Sequence, residues 1–170
     1  MSETIRTKLW HSCRRKYFPK YDFNVSDYRG SDEVDNVLSL MTGQRRSYFK
    51  ARIDKNNPMT WSSALWVLGL KLIVCPTEFH KLKFYLDELL MHDDLFLICH
   101  YSKKLTDNPQ LIFSDSQDDY IYKKFSTKIL HRNRLIDVET GTIGLVTNKY
   151  PDCYIKWICR VVPFDYSELH

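Results

Sequence analysis

Residues 38–76 read LSLMTGQRRSYFKARIDKNNPMTWSSALWVLGLKLIVCP, and the parsing of this run decides the fold. It begins inside a helix. Ser31 suits an N-cap, and Asp32 and Glu33 favour the first turn through the helix dipole. Val34, Val37, Leu38 and Met41 then recur at i, i+3, i+4 and i+7, which makes one apolar face. Gly43 supplies the left-handed residue that ends such a helix. A second helix over 45–54 offers Phe49 and Ile53 to a core and turns Arg45, Arg46, Lys50 and Arg52 elsewhere. DKNNP breaks it. Thr60 then caps a third helix over 60–68 with Trp61, Ala64, Leu65 and Leu68 inward and Gly69 as its stop. Residues 70–75 form a short β run that Pro76 ends.

Outward from this block the texture changes. Thr77 caps a fourth expected helix, in which Phe79, Leu82, Leu86, Leu89 and Leu90 keep helical spacing, closing at 91–94. From residue 95 the β-rich runs are 95–101, 111–113, 120–125, 129–138, 143–148 and 154–162. Polar segments such as LTDNPQ and SDSQDD separate them, and Glu139-Thr140-Gly141-Thr142 reads as a hairpin turn. On the other side, residues 3–18 suit a short basic helix with Ile5, Leu9 and Cys13 on one face, stopped by Pro19. Residues 19–30 read as irregular. The expectation is an α+β protein, a helical N-terminal half followed by a mainly antiparallel β-sheet C-terminal half. The two regions are 1–92 and 93–170, with a soft boundary at 91–95 and no linker long enough to require independent domains.

Composition removes several function classes. The chain has 170 residues, 44% hydrophobic and 27% charged, the balance of an ordinary globular protein. Only five glycines occur, and no G-x-G-x-x-G or G-x-x-x-x-G-K-[ST] is present, so no nucleotide cofactor is expected. Five cysteines are an odd set with irregular spacing. His11-x-Cys13, Cys75-x4-His80, Cys99-His100 and Cys153-x5-Cys159 all miss zinc-site spacing, so neither metal nor a disulfide framework is expected. The N-terminal MSETIRTKLWHSCRRKYF lacks the apolar core of a secretory signal. The longest apolar run, 65–75, contains Lys71 and is too short to cross a bilayer. These features predict a cytoplasmic (intracellular) protein with reduced thiols and no membrane partner.

Charge is unevenly distributed. Residues 1–30 carry seven Lys/Arg against three Asp/Glu, and residues 31–57 carry five against four. Residues 58–170 carry thirteen against fourteen, so the whole positive excess lies in the first third. A basic third suits a polyanionic partner.

Thr42-Gly43, Arg46-Ser47-Tyr48, Asp54-Lys55, Asn57-Pro58 and the run from Thr60 to Leu68-Gly69 together resemble the core of repressor/Cro-type helix-turn-helix domains. The resemblance is confined to residues 38–76, and Leu68-Gly69-Leu70-Lys71-Leu72 is similar to the helix-to-strand exit of antitoxin-type relatives. It implies that the second helix is a recognition helix. Arg45, Arg46, Ser47, Tyr48 and Lys50 would then face DNA, with Phe49 and Ile53 anchoring the helix and Arg46 exposed. Arg14, Arg15 and Lys16 would add cations from the basic N-terminal stretch. The implied protein is a nucleic-acid-binding transcription regulator, with DNA preferred to RNA as partner. Its β-rich half would form a homodimer or hold a protein partner.

Two other readings stand beside this one. The same helices can be core packing in a non-catalytic interaction or assembly protein, such as a small viral or phage accessory protein. Aromatics interleaved with cations over residues 10–29 suit stacking on single strands, and equally suit a protein interface. A third reading takes Asp137, Glu139 and Lys149 as the acidic pair and lysine of a metal-dependent nuclease, set against their plainer role as solvated turn residues.

Overall fold

The computed structural model describes residues 30–92, 94–101, 125–149 and 154–163. Among them, five helices are α1 (Val34–Thr42), α2 (Arg46–Lys50), α3 (Pro58–Trp66), α4 (Leu82–Leu90) and α5 (Val146–Lys149). Six strands are β1 (Leu70–Cys75), β2 (Leu95–Tyr101), β3 (Phe125–His131), β4 (Arg134–Asp137), β5 (Thr142–Leu145) and β6 (Ile155–Pro163). The strands form one antiparallel sheet in the order β1-β6-β2-β3-β4-β5. Helices lie mostly before the sheet strands in sequence, as the α+β expectation had it. β1 is the exception: it comes from the helical half and pairs with β6, so both halves build one sheet. Arg14, Arg15, Lys16 and the strand expected over 111–113 lie outside the described residues.

β2 explains the layering. All seven of its residues are buried, and side chains alternate between the two faces of a strand. Leu95, Leu97 and Cys99 join the cluster formed with α1, α2 and α3, around Leu38, Met41, Phe49, Trp61 and Leu65. Phe96 and Ile98 point the other way, into a cluster with Leu82, Leu86 and Leu89 of α4. A strand covered on both faces reads as an unbroken apolar run, and that is what LFLIC is.

Four boundaries differ from the sequence reading. α3 starts at Pro58 because Asn57, not Thr60, caps it, its Oδ1 accepting from Met59 N at 3.1 Å. Thr60 instead donates to the Asn57 carbonyl at 2.6 Å. The helix expected from Thr77 starts at Leu82, because residues 77–81 run beside β6. There the Thr77 hydroxyl donates to the Lys156 carbonyl, and Ile155 N donates to the His80 carbonyl at 2.9 Å. The strand expected over 129–138 is a β3–β4 hairpin, turning through Arg132 (φ 59°) and Asn133. Residues 143–148 likewise divide between β5 and α5. The turn expected at 139–142 does connect two strands, β4 and β5.

Candidate functional site

The corner between α1 and α2 is built from the Thr42-Gly43 pair. Gly43 adopts φ 80°, a conformation that costs an L side chain roughly 1–2 kcal/mol, and its N–H donates to the Ser39 carbonyl at 2.9 Å. The Thr42 hydroxyl donates back to Leu38 at 2.7 Å, and Gln44 N donates to that hydroxyl at 3.2 Å. The chain therefore leaves α1 on a fixed path. α2 follows and is pinned by Phe49, which is wholly buried.

α2 has five residues, not the ten expected over 45–54. The chain turns after Lys50 because residues further on bind elsewhere. The Trp61 indole donates to the Asp54 carbonyl at 2.9 Å, and Asp54 bridges to Asn57. Ile53 still packs against the core, from a turn and not from a helix.

Arg46 is the second correction. It is not a free exposed side chain. Its Nε donates to Asp35 Oδ2 at 3.0 Å, and its Nη2 reaches Asp35 Oδ1 at 3.2 Å, Glu33 Oε2 at 3.1 Å and Ser31 Oγ at 3.3 Å. The guanidinium fork thus ties the start of α1 to α2. Tyr48 is also occupied: its hydroxyl donates to the Ala64 carbonyl at 3.1 Å, and its ring meets Phe49 edge-on. Arg52 lies 3.9 Å above the Tyr48 ring and donates to the Tyr48 carbonyl. Arg45, Ser47 and Lys50 are exposed. The corner therefore brings together Arg45, Ser47, Lys50 and Arg52 exposed at its surface, while Arg46 and Tyr48 are half-buried and engaged in contacts within the fold.

On the α4 side of the sheet is a second group that no sequence pattern assembled. Lys128 on β3 is buried, with Nζ 3.7 Å from Asp32 Oδ2 and 3.7 Å from Asp137 Oδ1. Asp32 precedes α1 and runs alongside β3, its carbonyl accepting from Thr127 N at 3.1 Å. Glu139 follows β4 and its carboxyl proton affinity is raised, first by a hydrogen bond with Asp32 and then by that residue's charge. Asp137 is held by Thr140 N, which donates to its Oδ1 at 3.3 Å. His100 on β2 is buried too, its Nδ1 at 2.9 Å from the Tyr101 carbonyl. Burial, and then the charge of Lys128, lower its pKa to about 4, so the ring is neutral at pH 7. The acidic residues of the nuclease reading are thus joined by Lys128. Among the described residues no three His, Cys, Asp or Glu side chains are placed to hold a metal ion.

Comparison of the chain with family models, curated proteins and solved structures returned no match. Within the described residues, no helix is long and apolar enough to cross a membrane.

Proposed function

We propose that the protein binds nucleic acid, duplex DNA in preference to RNA, through the α1–α2 corner. One observation carries this reading. Arg45, Lys50 and Arg52 stand exposed around α2, and among the described residues none has a carboxylate in ion-pair reach, while Arg46 is spent on fixing the corner. Unneutralised cations on a rigid corner beside the Ser47 hydroxyl match the spaced charges of a phosphate backbone. A five-residue helix reaches few base edges, so the contact is mainly with phosphate. Base-specific readout by Arg46, expected from the resemblance, is not part of the proposal. A regulatory role would rest on this binding.

Fluorescence anisotropy with labelled duplex DNA and RNA tests it. Three phosphate contacts predict a fall in affinity of roughly 40-fold between about 50 and about 200 mM salt. Replacing Arg45, Lys50 and Arg52 together by Ala should abolish that dependence. Absence of salt-dependent binding by the wild type at micromolar concentration would sink the reading. Protein docking is the second reading, favoured by Met59, Trp66 and Val67, which are exposed at and just after α3. Copurification with and without nuclease separates a nucleic-acid partner from a protein one.

A further inference from the structure

We propose that Lys128 and Asp32 condense into an isopeptide bond, tying the segment before α1 covalently to the middle of the sheet. The reactants are already together. Lys128 Nζ and Asp32 Oδ2 are 3.7 Å apart, with side chains only 6% and 15% exposed. Asp32 Oδ2 is buried and no hydrogen-bond donor holds it. Asp137 sits against the same Nζ at 3.7 Å, itself fixed by Thr140 N. Neutral His100 shares this sheet face, since it stands opposite Ser126 while Lys128 stands opposite Ile98.

In water an ammonium and a carboxylate resist condensation because both ions are well solvated. A buried pair lacks that solvation, and turning it into a neutral amide removes two desolvated charges. Confinement also makes the encounter intramolecular, which supplies a large effective concentration. The fold places the two further carboxylates that the chemistry needs. Asp137 takes one proton from the Lys128 ammonium and leaves an amine. Glu139 is hydrogen-bonded to Asp32 and its own proton affinity is raised there, so it is placed to hand a proton to the Asp32 carboxyl as the nitrogen attacks. Nζ attacks the Asp32 carboxyl carbon, forming the C–N bond. Glu139, now a carboxylate, accepts a proton from that nitrogen and passes it to the departing oxygen, and the C–O bond breaks. Overall, one ammonium and one carboxylate give one amide and one water, with no oxidant, reductant or cofactor.

Intact-mass spectrometry of the full chain reads the outcome directly. The wild type should be lighter than its sequence by one water. A protease digest should contain a branched peptide joining the segments around Asp32 and Lys128. Asp32→Ala and Lys128→Arg should restore the full mass, and Glu139→Gln should leave most of the protein uncondensed. Mass does not depend on folding yield, so the wild type alone decides. Full mass after prolonged incubation at neutral pH overturns the proposal. So does loss of water without the branched peptide, or a branch at Asp137.

Discussion

Arg46 and Asp35 meet across the α1–α2 corner as a fork on a carboxylate, Nε to Oδ2 at 3.0 Å and Nη2 to Oδ1 at 3.2 Å. Glu33 and Ser31 complete the set of acceptors. This geometry makes Arg46 a residue of structure. Its side chain is 34% exposed and solvent screens part of the attraction, whereas Asp35 at 12% is the more enclosed partner. Arg46→Ala should therefore lower stability by about 1–2 kcal/mol, between an exposed ion pair and a buried charged hydrogen bond. Urea unfolding of Arg46→Ala, Asp35→Ala and the double variant tests it. If the double variant costs as much as the two single losses added together, the residues do not act as a pair.

The surface cations should behave in the opposite way. Neutralising Arg45 or Lys50 should change stability by less than about 0.5 kcal/mol. Each should reduce the slope of log affinity against log salt by about one unit, whatever the DNA sequence. Arg52 should do both, because its guanidinium also rests on the Tyr48 ring, a contact contributing about 0.5–1 kcal/mol. Sequence-selective loss of affinity at Arg45 would instead mean that bases are read there.

Much of the fold was legible where periodicity and punctuation agree. Trp61, Leu65 and Leu68 are 0%, 0% and 6% exposed, and Gly69 (φ 84°) stops the chain after α3, as the spacing required. β2 was legible for the same reason, its apolar run being long and cleanly bounded. α2 was over-extended because Phe49 and Ile53 are four apart, a helical spacing that a turn can also satisfy when both side chains reach the core. The β3–β4 hairpin was hidden because Arg132-Asn133 is a turn without glycine or proline. The Lys128 group could not be read at all, since Asp32, His100, Lys128 and Asp137 come from four separate stretches that only the sheet register aligns. Asp137 and Glu139 were visible as a local pair, but nothing beside them in the chain pointed to Lys128 on β3.

Trp61 should be the residue whose loss is felt most among the helices. It is fully buried, meets Trp157 edge-on at 5.7 Å and stacks near Phe125. Its indole N–H also holds the Asp54 carbonyl at the turn that ends the α2 segment. Trp61→Ala should cost about 3–5 kcal/mol through the cavity it leaves. Trp61→Phe keeps part of the ring packing and should cost less, while loosening residues 51–57. Amide exchange there should rise in Trp61→Phe, and unchanged protection would show that the Asp54 bond does not hold the turn.

His100 makes a prediction about pH with a definite sign. Its Nδ1 faces the Tyr101 carbonyl and its Nε2 is buried without a partner, so protonation would add a charge to an enclosed site beside Lys128. The folded-state pKa is lowered to about 4 from an ordinary 6.5, with burial the larger cause. Burial acts whether or not Lys128 carries a charge. Above the ordinary value neither state takes up the proton, and the residue does not affect the pH dependence. Between about 6.5 and about 4 the unfolded chain is protonated and the folded chain is not, so stability falls as pH falls across that window. Below about 4 both states are protonated and the loss levels off, at a size on the order of 3 kcal/mol. Carboxylates titrate in the same range, so the measurement must be a difference. Unfolding free energies of wild type and His100→Phe, determined at intervals from pH 7.5 to 3.5, share the carboxylate contribution and differ by the histidine alone. Wild type should lose stability relative to His100→Phe on acidification, with most of the relative loss complete near pH 4. A difference that stays constant with pH would show that His100 is solvated in solution and titrates normally.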